Sequence, residues 1–322
     1  MAHRASIPLR MADSNVNAPA TATDRQHRNE RLTRAASYAS LSVALLLIIL
    51  KSAAWFFTGS VAVLSSLADS ILDGAASLVT LFAIRQAQVP ADREHRFGHG
   101  KAEPLAALAQ SAFIIGSAVL LFYEAGNRFF HPLQVQRPEI GIAVTVIAIV
   151  ATLCLVTFQY WVVRRTRSIA INADSLHYKG DLLMNTAVIV ALVLSGWFDL
   201  PYADPVFALL IAFYLAGNAW KIVAEAIDIL MDRELPEEDR QKIIDIANSH
   251  PKAGRAHDLR TRQDGQTSFI QLHLEMDPDI TLMAAHEIAD DVEAMIGEAF
   301  PNAEIIIHQD PEGLEEEHGH FT

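Results

Sequence analysis

Long apolar stretches alternate with short polar ones over the first two thirds of the chain. Each apolar stretch is about 20 residues or longer, which is the length that a helix needs to cross the hydrocarbon core of a bilayer. The six predicted membrane spans are Tyr38–Phe57, Val61–Arg85, Pro104–Tyr123, Ile140–Val163, Ile169–Phe198 and Asp204–Met231. The pattern therefore predicts an all-α membrane domain of six helices over residues 37–231.

After Met231 the pattern changes to shorter elements. Residues 232–311 predict the order helix, strand, strand, helix, strand, with a turn at Asp264 and Gly265 between the first two strands. In the second predicted strand, apolar positions alternate with polar ones, so His273 lies on the face opposite the core. This part of the chain is therefore predicted to be an α+β (αββαβ) domain outside the membrane.

The two ends of the chain are polar. Residues 1–36 contain several arginines and lack the apolar core of a cleavable signal peptide, so they are predicted to be a disordered tail. Residues 312–322 predict a second disordered tail. Lysine and arginine are enriched in the N-terminal tail and in the loops after the second and fourth spans, which predicts that both termini face the cytoplasm.

Composition narrows the class of protein. The 322 residues are 51% hydrophobic with a mean hydropathy of +0.22, which is typical of a membrane protein with a polar appendage. A net charge of −13 at pH 7 argues against a nucleic-acid partner. Cys154 is the only cysteine, which excludes an intramolecular disulfide and a thiolate metal cluster.

Charged side chains interrupt two of the predicted spans. Asp69 and Asp73 lie four residues apart in the second span, and His177 and Asp181 repeat this spacing in the fifth, so each pair shares one helix face. A charge within a membrane is costly and therefore indicates a function or a partner. If the two faces meet, three carboxylates and one imidazole can bind zinc(II), iron(II), cobalt(II) or manganese(II). The alternative is that both pairs only form hydrogen bonds between helices.

A second candidate site lies in the loop between the second and third spans. Asp92, His95 and His99 offer metal ligands at intervals of three and four residues. A solvated turn with incidental histidines is the alternative. Lys101 follows this loop and can pair with an acidic group just below the membrane.

A third candidate site lies in the predicted cytoplasmic domain. Imidazole and carboxylate groups suit a borderline or hard divalent cation. The candidate ligands are His257, His273, His286, His308 and Asp310. Any one of these histidines could instead be an ordinary surface residue.

Together these residues resemble the cation diffusion facilitator family and are closest to its bacterial zinc and ferrous-iron efflux branch. The resemblance rests on the two pairs of intramembrane ligands, on the loop FGHGKAEPLAALAQS and on the closing segments AHDLRTRQ, FIQLHLEM and IIIHQDP. It extends from about residue 36 to Pro311 and implies that the C-terminal domain has a metallochaperone-like fold.

The resemblance also implies a function. The expected protein is a proton-coupled antiporter that exports divalent metal from the cytoplasm by alternating access, as a homodimer in the bacterial inner membrane. Zinc is the first expected substrate, with iron(II) and cadmium as further ones. Metal is also expected as a structural or regulatory ligand, and no organic cofactor is implied.

Site residues follow from the same resemblance. The implied transport site is Asp69, Asp73, His177 and Asp181, with His177 also carrying the proton. The implied loop site is Asp92, His95 and His99, and the implied binuclear cytoplasmic site is His257, His273, His286, His308 and Asp310. Lys101 and Asp232 are expected to form a charge pair at the hinge between the two domains.

Three other functions compete with this interpretation. Paired aspartates in a membrane also occur in aspartyl proteases, but the two carboxylates of that chemistry normally come from separate segments. A membrane-anchored metal sensor explains the cytoplasmic histidines but not the ligands within the spans. A passive channel needs weak binding, which a tight tetrahedral site does not provide. The sequence therefore favours a transporter over an enzyme.

Overall fold

The computed structural model describes residues 22–59, 61–130, 139–198, 203–265 and 267–313. Six long helices come first: α1 (Ala22–Thr58), α2 (Val61–Ala87), α3 (Ala102–Phe130), α4 (Glu139–Thr166), α5 (Ile169–Phe198) and α6 (Ala203–Leu230). The shorter elements are α7 (Glu237–Asn248), β1 (Ala256–Gln263), β2 (Ser268–Met276), α8 (Leu282–Ala299) and β3 (Ala303–Pro311). The predicted fold class, a helical membrane domain followed by a small αββαβ domain, is confirmed.

Five of the long helices are apolar enough and long enough to cross a membrane. Their spanning segments are His27–Phe57, Ser66–Ala87, Ala102–Asn127, Val146–Thr166 and Pro205–Leu230. The remaining predicted span, Ile169–Phe198, coincides with α5, which is not among these five within the described residues. Its first half carries Asp174, His177, Lys179 and Asp181, and these lower its hydropathy.

The position of α5 explains how it tolerates these polar residues. It packs against each of the other five long helices and therefore lies at the centre of the bundle. Ala173 and Leu176 of α5 share a buried cluster with Ile114 of α3 and with Ile211 and Leu215 of α6. Neighbouring helices, and not lipid, surround its polar half, so low hydropathy in this helix does not require exposure to water.

Helix α1 begins earlier than the sequence predicted. Residues 22–36 were expected to belong to a disordered tail, but they are helical and continuous with the first span. Nε2 of Gln88, just after α2, donates to the backbone O of Glu30 and to Oγ1 of Thr33, both at 3.0 Å. Arg34 in turn donates to Oε1 of Gln88 at 3.1 Å. The polar composition of this segment suggested disorder, but its polar side chains have hydrogen-bonding partners. The rest of the predicted N-terminal tail, and most of the C-terminal one, lie outside the described residues.

The small domain is a three-stranded sheet with helices on one face. The strand order is β1-β2-β3, with β1 antiparallel and β3 parallel to the central β2. Ile270 and Leu272 of β2 are buried against α7 and α8, together with Ile243 and Val292. Because side chains alternate along a strand, polar residues occupy the other face.

The loop between α2 and α3 lies against the small domain. Arg262 of β1 is placed between two aromatic rings, with its guanidinium 4.4 Å from the Phe97 ring of the loop and 4.5 Å from the Phe269 ring of β2. A Cβ atom at Gly100 would collide with the Asp264 carboxylate at the β1–β2 turn, so a larger residue there would require the Asp264 side chain to move. We call this contact the junction between the membrane and cytoplasmic domains.

Candidate metal sites

The membrane cluster, which comprises Asp73, His177 and Asp181, lies between two helices. Asp73 is on α2, and His177 and Asp181 are one turn apart on α5. Nε2 of His177 is 2.9 Å from Oδ1 of Asp73 and 4.0 Å from Oδ2 of Asp181. One ligand atom from each residue lies within 4.8 Å of the other two, which is close enough for all three to bind one metal ion.

Asp69 is separate from the membrane cluster. It lies one turn before Asp73 on α2, and its side chain is exposed. Residues four apart share a helix face, but they differ in depth by about 6 Å along the helix axis. The structure therefore brings together three of the four residues predicted for the transport site.

Lys51 of α1 is a charged neighbour that the sequence analysis did not identify. Its Nζ donates to the backbone O of Ser66 at 3.0 Å and to Oγ of Ser70 at 2.6 Å, both on the first half of α2. Its positive charge attracts the carboxylates of Asp73 and Asp181. A lone lysine within an apolar run was the signal that could have identified it.

A buried carboxylate on α5 forms a hydrogen-bond network next to the membrane cluster. Asp174 lies one turn before His177 on α5 and is fully buried. It accepts hydrogen bonds from Oγ of Ser40 on α1 and, at 2.7 Å, from Nε2 of Gln159 on α4. Nε2 of Gln159 also lies 2.8 Å from Oγ of Ser40. This network joins three helices and fixes the rotation of α5 that presents His177 to Asp73.

The loop site forms within the connection between α2 and α3. Oδ1 of Asp92 is 3.5 Å from Nδ1 of His95, and Oδ2 is 3.5 Å from Nε2 of His99. The two imidazole ring centroids are 4.5 Å apart. One ligand atom from each of the three residues lies within 4.8 Å of the others. The structure thus brings all three predicted loop residues together.

Hydrogen bonds to the backbone orient two of these side chains, Asp92 and His99. The backbone N–H of His95 donates to Oδ1 of Asp92 at 2.6 Å, and the backbone N–H of Glu94 donates to the same oxygen at 2.9 Å. These hydrogen bonds hold the pKa of the Asp92 carboxyl below its usual value. Nδ1 of His99 is 3.3 Å from the carbonyl O of Val89. A proton on Nδ1 satisfies that contact and leaves Nε2 directed towards Asp92 as a metal ligand.

The cytoplasmic cluster comprises His257, His273, His308 and Asp310 on the polar face of the sheet. The strand register places His257, His273 and His308 side by side on three adjacent strands. Oδ2 of Asp310 is 2.8 Å from Nδ1 of His273 and 3.4 Å from Nε2 of His257, and Oδ1 is 3.2 Å from Nε2 of His308. Asp310 is only 5% exposed, so its carboxylate is the buried centre of the group.

Two acidic residues beside the cytoplasmic cluster were not predicted. Oδ2 of Asp258 is 4.0 Å from Nε2 of His273, and Oε1 of Glu275 is 4.0 Å from Nδ1 of His257. The pairing of β1 with β2 shifts by one residue after His257, and Asp258 adopts a positive φ of 47° there. This β-bulge turns the Asp258 side chain towards the histidines, and strict alternation along the sequence does not reveal it.

His286 lies outside the cytoplasmic cluster of its own chain. It is an exposed residue of α8, where Nδ1 is 3.5 Å from Oδ1 of Asp290 on the next turn. Helix α8 packs on the apolar face of the sheet through Ile288 and Val292. The histidine cluster is on the opposite face, so a side chain of α8 cannot reach it within one chain.

The hinge charge pair is formed at the junction. Nζ of Lys101 is 2.8 Å from Oδ1 of Asp232, and Nη1 of Arg262 is 3.5 Å from the same oxygen. Partial burial raises the pKa of Asp232, but the hydrogen bond and charge of Lys101, with the charge of Arg262, outweigh it and lower that pKa. Asp232 is therefore ionised at neutral pH, and its carboxylate contacts both Lys101 and Arg262 at the junction.

A bundle of membrane helices with a histidine–carboxylate cluster in its interior, attached to a domain with further metal ligands, defines the class of metal-transporting membrane proteins. Residues 37–231 match the model of the cation efflux transmembrane domain, and residues 235–312 match that of the cation efflux protein cytoplasmic domain. The chain belongs to the cation efflux family. It is therefore a multi-pass membrane transporter of metal cations and not an enzyme.

Relatives named cation-efflux pump FieF match most of the chain. The protein from Serratia proteamaculans (strain 568) is 51% identical over 281 residues, which cover 87% of this chain and 93% of the relative. The protein from Cronobacter sakazakii (strain ATCC BAA-894) is 52% identical over 285 residues, which cover 88% and 95%.

Two solved structures each match about a quarter of the chain. The Zn form of CzrB is 33% identical and covers 26% of this chain and 98% of that one, with a TM-score of 0.25. The metal-bound C-terminal domain of the CzcD transporter from Thermotoga maritima is 24% identical and covers 24% and 93%, with a TM-score of 0.24.

Proposed function

We propose that this protein is a proton-coupled antiporter that exports divalent metal cations from the cytoplasm by alternating access. Zinc is the first substrate of this proposal, and iron(II) and cadmium are the next. The observation that carries the proposal is the 2.9 Å contact between Nε2 of His177 on α5 and Oδ1 of Asp73 on α2. A single nitrogen and its carboxylate partner can hold either a proton or a metal ion, but not both at once.

Because a proton and a metal ion exclude each other at His177, metal transport is coupled to proton transport. Histidine binds metal only when it is neutral, so protons compete with the metal for the same nitrogen. Protons that enter from the outer side convert His177 to the imidazolium, which donates to Asp73 and displaces the metal. Loss of the protons to the cytoplasm restores the lone pair of Nε2, and the cluster can bind the next ion.

The donor set supports zinc without excluding other metals. Asp73, His177 and Asp181 offer oxygen and nitrogen ligands, which suit zinc(II) in a tetrahedral arrangement. The absence of thiolates from the set also permits iron(II) and manganese(II). Asp69 is proposed as the fourth ligand in a state in which α2 has shifted relative to α5, because one helical turn separates it from Asp73.

The cytoplasmic and loop clusters are proposed as regulatory and structural metal sites of a homodimer. Bound metal would bias the balance between inward-open and outward-open states only if it binds one of them more tightly. Because His286 is exposed and faces away from the cluster of its own chain, it is proposed to serve the cluster of a second copy. We further propose an inner-membrane location with both termini in the cytoplasm, on the basis of the loop charges.

The test uses purified protein in sealed vesicles that contain a metal-sensitive dye and a pH-sensitive dye. Zinc, iron(II), cadmium and manganese are added under an imposed proton gradient. Metal flux is expected to drive an opposing proton flux, and both are expected to vanish in Asp73→Ala and His177→Ala. His250→Ala is the matched control, because His250 contacts Asp291 in the cytoplasmic domain, away from the three clusters.

Two outcomes would overturn the proposal in different ways. If His177→Ala retains metal flux and its pH dependence, the protein transports metal without this coupling group. If the wild type binds metal without any flux, the protein acts as a membrane-anchored metal sensor through its cytoplasmic cluster.

A further inference from the structure

A cavity of about 350 Å³ adjoins the membrane cluster between α3, α5 and α6. His177 and Asp181 line one part of it, and Glu124 of α3 lines another. Most of the wall between them is apolar and includes Ile114, Leu121 and Met184. The cavity therefore connects two ligands of the membrane cluster with a carboxylate that the proposed mechanism does not use.

Glu124 lies on the side of the cluster that faces away from the cytoplasmic domain. Helices α3 and α5 begin next to each other, since the backbone N of Ala170 is 3.5 Å from Oε1 of Glu103. Lys101, which precedes α3, contacts the cytoplasmic domain through Asp232, so both helices run away from that domain. At 1.5 Å per residue, Asp181 is about 18 Å along α5, whereas Glu124 is about 33 Å along α3.

The two levels are about 15 Å apart along the helix axes, and polar groups of the cavity wall lie between them. Glutamate side chains lean towards the N-terminus of their helix, which brings the Glu124 carboxylate back towards the cluster. Ser117 of α3, which also lines the cavity, lies about 22 Å along the helix and offers a hydroxyl oxygen between the two levels. Carboxylate, hydroxyl and imidazole groups therefore follow one another along an otherwise apolar wall.

The Glu124 carboxylate can stabilise a cation in this cavity. Glu124 is half-buried within the spanning segment of α3, where an ionisable side chain is costly. A divalent cation that leaves the cluster would enter an apolar cavity, where it is poorly solvated. A negative charge on the wall of that cavity lowers the energy of the ion along its path.

We propose that Glu124 is an exit ligand for the divalent cation, which it receives from His177 and Asp181 before release on the side away from the cytoplasm. The inference rests on the proposed transport function of the membrane cluster. Glu124 would set the rate of release and the affinity for metal at the outer opening. It would leave the affinity of the membrane cluster itself unchanged.

The experiment compares the wild type, Glu124→Gln, Glu124→Asp and Glu225→Gln in vesicles of uniform orientation. Glu225→Gln is the matched control, because Glu225 is a carboxylate of the spanning helix α6 that does not line this cavity. Three quantities are measured: the maximum rate of zinc transport, the inhibition of transport by zinc on the outer side, and zinc affinity by calorimetry in detergent.

Glu124→Gln is expected to lower the maximum rate about tenfold and to raise the outer zinc concentration for half-inhibition about tenfold. Glu124→Asp, which keeps the charge on a shorter side chain, is expected to show a partial loss of the same two quantities. Both variants should bind zinc in detergent with the wild-type affinity. If Glu124→Gln does not fold, as judged by its elution volume, Glu124→Asp alone provides the comparison.

The failure of this inference is distinguishable from that of the proposed function. A transporting wild type whose rate and outer inhibition are unchanged in Glu124→Gln overturns the role of Glu124 alone. An equal loss of rate in Glu225→Gln also overturns it, because the effect would then belong to any carboxylate of the spans. A wild type that binds zinc without transport overturns both proposals together.

Discussion

Nε2 of His177 contacts one carboxylate on a neighbouring helix and another on its own helix. Four-residue spacing in two separate spans was enough to predict Asp73, His177 and Asp181, because that spacing fixes which residues share a helix face. It could not predict the separation of Asp69, since the depth of one helix relative to another depends on packing. Lys51 and Asp174 were missed for a related reason: the sequence does not state which face of α1 meets α2, or which faces of α1 and α4 meet α5.

Asp174→Ala should destabilise the bundle. The variant removes the acceptor of the Ser40 and Gln159 side chains, which are themselves fully buried. A buried donor without its acceptor costs about 1–3 kcal/mol. The measurement is thermal unfolding of the protein in detergent, and the loss of monodispersity is the readout of unfolding.

Asp174→Asn is the matched control, because an amide oxygen can still accept both hydrogen bonds. We expect it to unfold closer to the wild type than Asp174→Ala does. Equal transition temperatures for Asp174→Ala and the wild type would show that this network does not hold the three helices together.

The junction is where an element of one domain contacts elements of the other. The loop FGHGK, which was predicted as a metal-binding turn that ends in a pairing lysine, supplies Phe97, Gly100 and Lys101 to this contact. The resemblance to a known family suggested the pair of Lys101 with Asp232. The stacking of Arg262 between Phe97 and Phe269 was not predictable, because it joins segments that are distant in sequence and requires the position of the sheet beneath the membrane domain.

Asp232 gives the junction a defined dependence on pH. Because its pKa in the folded protein is lowered, its ionic contacts stabilise the fold above its ordinary pKa of about 3.9 and are lost as pH falls through the lowered value. Lys101 and Asp232 are 35% and 44% exposed, so solvent screens the pair and its contribution at pH 7 is about 0.2–1 kcal/mol.

A double-mutant cycle measures this contribution. Lys101→Met, Asp232→Asn and the double variant are compared by thermal unfolding at pH 7 and at a pH below the lowered pKa. Coupling between the two residues is expected at pH 7 and should disappear at the low pH. Coupling of the same size at both values would mean that the contact does not depend on the ionised carboxylate.

For the whole molecule, the order of elements was predictable, whereas the arrangement between them was not. Hydrophobic periodicity gave six long helices followed by an αββαβ domain, and the strand alternation gave the polar face of the sheet. The predicted tail was wrong at residues 22–36, because α1 has polar partners beyond the membrane. The sequence also could not predict on which side of the sheet α8 packs. This packing separates His286 from the histidines of the cytoplasmic cluster in the same chain.

Metal removal should loosen the sheet of the cytoplasmic domain more than helix α7 of the same domain. The cytoplasmic cluster joins β1, β2 and β3, so a bound ion links three strands. At a free metal concentration about 100 times the dissociation constant, binding stabilises the folded state by about 2.7 kcal/mol. Hydrogen exchange of the amides in β3 is therefore expected to accelerate about 100-fold when a chelator is added.

Helix α7 provides the internal comparison, because the described residues of this helix include no member of the cytoplasmic cluster. A larger change in α7 than in β3, or no change in either, would contradict a structural role for metal at this cluster.

The central position of α5 has a consequence for kinetics. Because α5 packs against each of the other five long helices, any displacement of His177 and Asp181 must be accommodated at several interfaces simultaneously. Close-packed interiors resist gradual deformation and pass between discrete arrangements. Single molecules should therefore dwell in a few long-lived states and interconvert abruptly, on the microsecond-to-millisecond timescale of collective helix motion.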